Sequence, residues 1–98
     1  MNIKKHITGG KLILAVCDDE LIGKIFEEGD MQIDLSSGFY RGEKVDEESA
    51  GTVVKKAHML NIVGEKTLKF FIAQGLVDGD SHVLRVKGVP HLQIILRE

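Results

Sequence analysis

Apolar residues recur along this chain in two periods. From Lys11 to Cys17, Leu12, Leu14 and Val16 alternate with Ile13, Ala15 and Cys17, and both sets are apolar. Alternate residues of a strand face opposite ways, so this pattern predicts a central strand buried on both faces. The preceding run, Asn2–Ile7, sets Ile3 and Ile7 against Lys4 and His6 and reads as more exposed. Thr8-Gly9-Gly10 between the two runs signals a hairpin. After a turn at Gly29-Asp30, Met31, Ile33 and Leu35 alternate with Gln32, Asp34 and Ser36, which predicts a half-buried strand. A turn cluster at Asp78-Gly79-Asp80-Ser81 leads to two more predicted strands, His82–Lys87 and Leu92–Leu96. Gly88-Val89-Pro90 separates them, and Pro90, which has no N–H, is expected at the turn or the strand start.

The second period is helical. Ala50, Val53, Val54 and Ala57 fall at i, i+3, i+4 and i+7, behind Asp46 as N-cap and Glu47-Glu48 in the first turn. Lys55 and Lys56 suit the negative end of that helix, and Gly51 weakens it by about 1 kcal/mol relative to alanine. Leu68, Phe71 and Ile72 define a stronger helix between Gly64 and Gly75, with Glu65 in its first turn. Gly75 suits a left-handed C-cap that folds Leu76 back onto Phe71. The stretch from His58 to Val63 is expected to bridge the two helices into a hairpin or corner. The resulting order, β-β-β-α-α-β-β, predicts one α+β domain over residues 1–98. Its mostly antiparallel sheet of about five strands packs against a helix pair.

Composition adds limits. The chain has 98 residues, 43% hydrophobic and 29% charged, which fits a single soluble domain. No apolar run approaches the roughly 20 residues of a membrane-spanning helix, and no leader precedes the first strand, so a cytoplasmic protein without membrane contact is expected. A lone cysteine, Cys17, allows neither an internal disulfide nor a cysteine-pair zinc site. The net charge of −2 argues against a general nucleic-acid binder. The distribution qualifies that. Residues 1–49 carry 6 Lys/Arg against 11 Asp/Glu, and residues 50–98 carry 7 against 4.

Candidate chemistry is sparse. Cys17 adjoins Asp18-Asp19-Glu20, whose charges oppose a reactive thiolate, and a buried apolar role is the better reading. Neither those acids nor Glu43–Glu48 match calcium-loop spacing, and the four histidines show no helical metal spacing. No metal or cofactor is expected. Phe39 and Tyr40 lie in a Ser/Gly-rich loop, where an aromatic pair either plugs the core or offers a stacking surface. His91 and Gln93 beside Pro90 form a second polar candidate, with histidine able to titrate near neutral pH. The run Ile62-Val63-Gly64-Glu65-Lys66-Thr67 resembles half of a helix-hairpin-helix motif, with Ile62 in place of its first glycine. That likeness would offer a phosphate the amides of a helix N-terminus, with Lys66 and Lys69 nearby.

Five stretches carry a wider resemblance: Ala15-Val16-Cys17-Asp18, Phe39-Tyr40-Arg41-Gly42-Glu43, Asn61-Ile62-Val63-Gly64-Glu65, Gly75-Leu76-Val77 and Gly88-Val89-Pro90-His91-Leu92-Gln93. Together they resemble a small archaeal family known as domain of unknown function four-two-four. The resemblance implies an archaeal, cytoplasmic, single-domain protein with no established activity, so it assigns no catalytic residue. Three functions follow as expectations. The first is a non-enzymatic binding module for RNA or a translation-linked partner, using Gly64, Lys66, Lys69, Tyr40, Arg41 and His91. The second is a small-molecule binder or enzyme centred on His91, Gln93 and Asp18. The third is a homodimer paired through the apolar C-terminal strand Ile94-Ile95-Leu96.

Overall fold

A computed structural model of the chain describes residues 1–78 and 83–97. The strands are β1 (Asn2–Thr8), β2 (Lys11–Cys17), β3 (Ile25–Glu28), β4 (Met31–Asp34), β5 (Glu43–Lys44), β6 (Met59–Val63), β7 (Leu84–Val86) and β8 (Val89–Ile95). The helices are α1 (Glu47–Val54) and α2 (Glu65–Ala73), and a single 3-10 turn covers Asp19–Leu21. Six strands form one sheet in the order β5-β1-β2-β6-β8-β7, and β3 and β4 form a separate hairpin. Every pairing is antiparallel except β2 with β6. That parallel pair needs a crossover, and α1 lies within it.

The expected α+β class stands, and the hairpin closes at Gly9-Gly10 with both glycines at positive φ. The main correction concerns His58–Val63. The stretch does not bridge two helices. Residues Met59–Val63 form a central strand whose Leu60, Ile62 and Val63 are fully buried. An apolar run of this length carries no period of its own, and burial on both faces decided the matter. The helix hairpin therefore does not exist, and the likeness to a helix-hairpin-helix motif loses its first helix.

Smaller differences follow from local contacts. β3 and β5 had no clear alternation and were not anticipated. α1 ends at Val54, so Ala57 is buried beyond the helix rather than on it. The glycine-bearing turn between β7 and β8 is Lys87-Gly88, both at positive φ, and Pro90 sits inside β8 opposite Arg85. The turn expected at Gly79-Asp80-Ser81 and the start of the strand at His82 lie outside the described residues.

The sheet separates two cores. On one face α1 and α2 cover Leu14, Val16, Leu60 and Ile62 with Ala50, Val54, Leu68 and Phe71. On the other face the β3–β4 hairpin and Tyr40 cover Ala15, Cys17, Val63 and Val86 of the sheet with Ile33 and Leu35. α2 ends as expected. Leu76 N–H reaches Phe71 O at 3.1 Å and Gly75 N–H reaches Ile72 O at 3.0 Å, around Gly75 at φ 77°. These two bonds define a Schellman cap.

Candidate functional site

Gly64 lies where β6 turns into α2, at the carboxyl ends of the parallel pair. Its φ of 110° and ψ of 149° belong to glycine. Its N–H donates to Pro90 O at 3.0 Å, as in a sheet ladder, while its carbonyl accepts from Leu68 N–H at 3.0 Å as the first bond of α2. In a full ladder the residue at position 90 would return a bond to Gly64. Proline has no N–H to give, so the ladder stops here.

A helix start like this offers free amides to an anion. Here the anion is the chain's own. The Asp18 carboxylate accepts from Thr67 N–H at 2.8 Å, Thr67 Oγ1–H at 2.7 Å and Lys66 N–H at 3.2 Å. Asp18 is 5% exposed, and a Cβ on Gly64 would lie 2.4 Å from its Cγ. Gly64 is therefore the position that lets a carboxylate from β2 reach the end of α2. The amides expected to receive a phosphate are occupied, which corrects the phosphate reading of Gly64.

Two of the nearby cations, Lys66 and Arg85, are also engaged. Lys66 Nζ pairs with Glu20 at 3.0 Å, and that carboxylate raises the lysine's pKa. Arg85 pairs with Glu65 at 2.8 Å, and its hydrogen bond holds the Glu65 carboxyl below the usual range. Lys69 is exposed on α2.

His91, Gln93 and Asp18 do not come together. Asp18 faces the helices. His91 sits opposite Val63 and Gln93 opposite Asn61, on the other face of the sheet. His91 is partly buried, and that burial lowers its pKa. Strand parity was the signal that could have separated the three in advance, had β6 been recognised as a strand.

Cys17 is fully buried. Burial, with Asp18 and Asp19 nearby, pushes its thiol up to about 12. The folded state thus holds this proton more tightly than the unfolded chain. The associated stability is complete below the ordinary value of 9.0 and is lost as the pH rises toward about 12. Native protein near about pH 8 is expected to leave an aromatic disulfide reagent unreacted, with one thiol released on unfolding. Fast reaction of the native protein would contradict the burial.

The aromatic loop divides its roles. Tyr40 is the plug: it is buried in the hairpin-side core, and burial raises its phenol pKa. Phe39 stays 43% exposed. Its ring stacks on His6 with centroids 4.3 Å apart and planes 15° apart, and His6 Nε2 lies 2.8 Å from Phe39 O. Lys4 shares the His6 face of β1, and Arg41 follows in the loop, reaching toward Gly23. His6 was read only as an exposed strand residue. Its partner lies 33 residues away, so nothing local announced the stack.

The C-terminal strand is partly uncovered. β7 pairs with β8 only from Val89 to His91, and Ile95 is 63% exposed. Among the described residues no helix is long and apolar enough to cross a membrane.

Fold and site together define a small α+β domain with a crossed parallel strand pair, self-capped at its helix entry. The chain belongs to a protein family of unknown function, DUF424, whose model matches residues 6–96. It is similar to an uncharacterized conserved protein from Methanopyrus kandleri of known crystal structure. The two share 26% identity and a TM-score of 0.82 over 99% of this chain and 92% of the other. No curated protein matches the chain.

Proposed function

We propose that this protein is a non-enzymatic binding module that takes single-stranded RNA on the surface around Phe39. The observation that carries the reading is the Phe39–His6 stack, with Phe39 exposed, Lys4 on the same strand face two residues before His6, and Arg41 two residues after Phe39. Aromatic rings stack on any base, and nearby cations attract the phosphates between bases. The groups best suited to chemistry are committed elsewhere. Asp18 caps α2, and Cys17 is a buried neutral thiol. The hinge that first suggested phosphate binding plays no part. Its amides hold Asp18, and Lys66 holds Glu20. A translation-linked protein partner and a dimer through β8 have less support, the latter resting on Ile95 alone.

The test is fluorescence anisotropy with a labelled oligouridylate of about eight nucleotides, repeated across salt. Binding at low salt is expected, with log K falling against log salt at a slope of about −1 to −2 for two cations. Phe39→Ala is expected to weaken binding about tenfold, the loss of one stacked base, while the melting temperature holds. Lys66→Ala leaves affinity unchanged. No binding at low salt, or full affinity in Phe39→Ala, overturns the reading.

A further inference from the structure

The outer edge of β1 is open over half its length. The hairpin closes on the Thr8↔Lys11 pair across a two-residue turn, so Thr8, His6 and Lys4 direct their N–H and C=O groups to β2. Ile3, Lys5 and Ile7 then direct theirs outward. The bond from Val45 N–H to Met1 O at 2.8 Å, on the same side, agrees with that alternation. β5 is two residues long and pairs only with Asn2 and Ile3. It ends because the chain turns in at Gly42, where a Cβ would lie 2.0 Å from Ile3 O. Beyond that point the N–H and C=O groups of Lys5 and Ile7 have no strand partner among the described residues, and Ile7 is 78% exposed.

A groove runs beside this edge on the helix side. Its volume is about 700 Å³, its floor is Ile3, Leu12, Val45 and Val53, and Lys5 and Lys56 stand on its rim. Because strand neighbours alternate, the residues of an added strand that bond Lys5 and Ile7 also point their side chains to this side. The edge offers main-chain bonds and the groove offers apolar cover, the two components of strand addition. Charge selects the occupant. The acidic Glu43 and Glu48 lie at the β5 end of the groove, and Lys5 and Lys56 lie toward the open end, with Lys11 at the hairpin tip. Pairing with β1 of a second copy would crowd Lys4 and Lys5 of both chains together, a repulsion that keeps edges apart.

We propose that the β1 edge is a docking site for an extended peptide that joins the sheet beside Lys5–Ile7 and carries both acidic and apolar residues at the alternate positions that face the groove. The acidic residues meet Lys5 and Lys56, and the apolar ones cover the floor. The groove meets the Phe39 surface only at Lys4, which lines it, while the Phe39–His6 stack itself belongs to the opposite face of the sheet.

The test uses the intact protein and a capped synthetic peptide of about seven residues in which every second residue is threonine and the residues between are valine and glutamate by turns, so that one face carries both. Amide spectra are followed by NMR. Saturable shifts are expected in Lys5, Ile7 and the groove residues, with hydrogen exchange at Lys5 and Ile7 slowed at least about tenfold at saturation. Ile7→Pro removes one outward N–H without touching the β1–β2 ladder and is expected to weaken binding at least about tenfold. Should that variant fail to fold, Lys5→Glu keeps the proposal falsifiable. It is expected to reject the acidic peptide and to favour the same peptide with lysine in place of glutamate. Phe39→Ala leaves peptide binding intact, so failure here and failure of the RNA reading remain distinguishable. The proposal is overturned by absence of shifts, by shifts without exchange protection, by equal binding of the lysine peptide to the native protein, or by a self-association that Ile7→Pro abolishes.

Discussion

Gly64→Ala is expected to destabilise the fold by roughly 3 kcal/mol, through two costs that add. The first is conformational. At φ 110° an L-residue is strained even in open space. The second is steric. The new Cβ would lie 2.4 Å from Asp18 Cγ, 2.5 Å from Oδ1 and 2.6 Å from Oδ2. Asp18 cannot simply swing aside, because its oxygens hold the amides of Lys66 and Thr67 and the Thr67 hydroxyl. Asp18→Ala alone leaves those donors without a partner and is expected to cost roughly 2 to 3 kcal/mol. The double variant removes the object of the clash. Its loss should fall short of the sum of the singles by at least about 1 kcal/mol. Urea unfolding of the four proteins, followed by circular dichroism, measures the cycle. Strict additivity would show that the methyl and the carboxylate do not collide, and the account of Gly64 would fail.

The hinge also shows how far the chain could be read without coordinates. α2 was legible because it carries a helical period, β2 because a continuous apolar run follows the Gly9-Gly10 turn signal, and the Asp46 cap because capping is local, with Ser49 N–H on Asp46 Oδ1 at 2.8 Å. Gly64 was legible as special but not for its reason. Its constraint comes from Asp18, 46 positions earlier, through the parallel pairing of β2 with β6. Met59–Val63 hid for a related reason. With Asn61 at its centre and His58 before it, the run showed neither alternation nor a helical face. Only the sheet on both sides makes it a strand. The His6–Phe39 stack and the β1 edge are non-local in the same sense. Residue types suggested aromatics and lysines, and tertiary structure alone decided that Tyr40 turns inward while Phe39 does not.

Gly42→Ala is expected to act at the other end of the sheet, with a loss of roughly 3 kcal/mol. Its conformation is ordinary, so the cost is purely one of space. A Cβ there would lie 2.0 Å from Ile3 O, 2.6 Å from Ile3 C and 2.7 Å from Lys4 Cα. These are backbone atoms of a strand fixed along its whole length to β2, so the loop must yield instead. Its retreat breaks the bond from Gly42 N–H to Asn2 Oδ1 at 2.9 Å and the pairing of β5, and it pulls on Tyr40 two residues away. Tyr40 is the chain's single tyrosine and there is no tryptophan, so intrinsic emission reports this loop alone. The variant is expected to show iodide-accessible tyrosine emission together with a lower unfolding midpoint. Gly38→Ala, in the same loop with nothing within 4 Å, should leave both unchanged. A Gly42→Ala protein with native stability and a shielded tyrosine would mean that the loop does not press against β1. Should Tyr40 be released, the open edge lengthens to include Ile3, and the acidic peptide gains one more residue of strand to pair with.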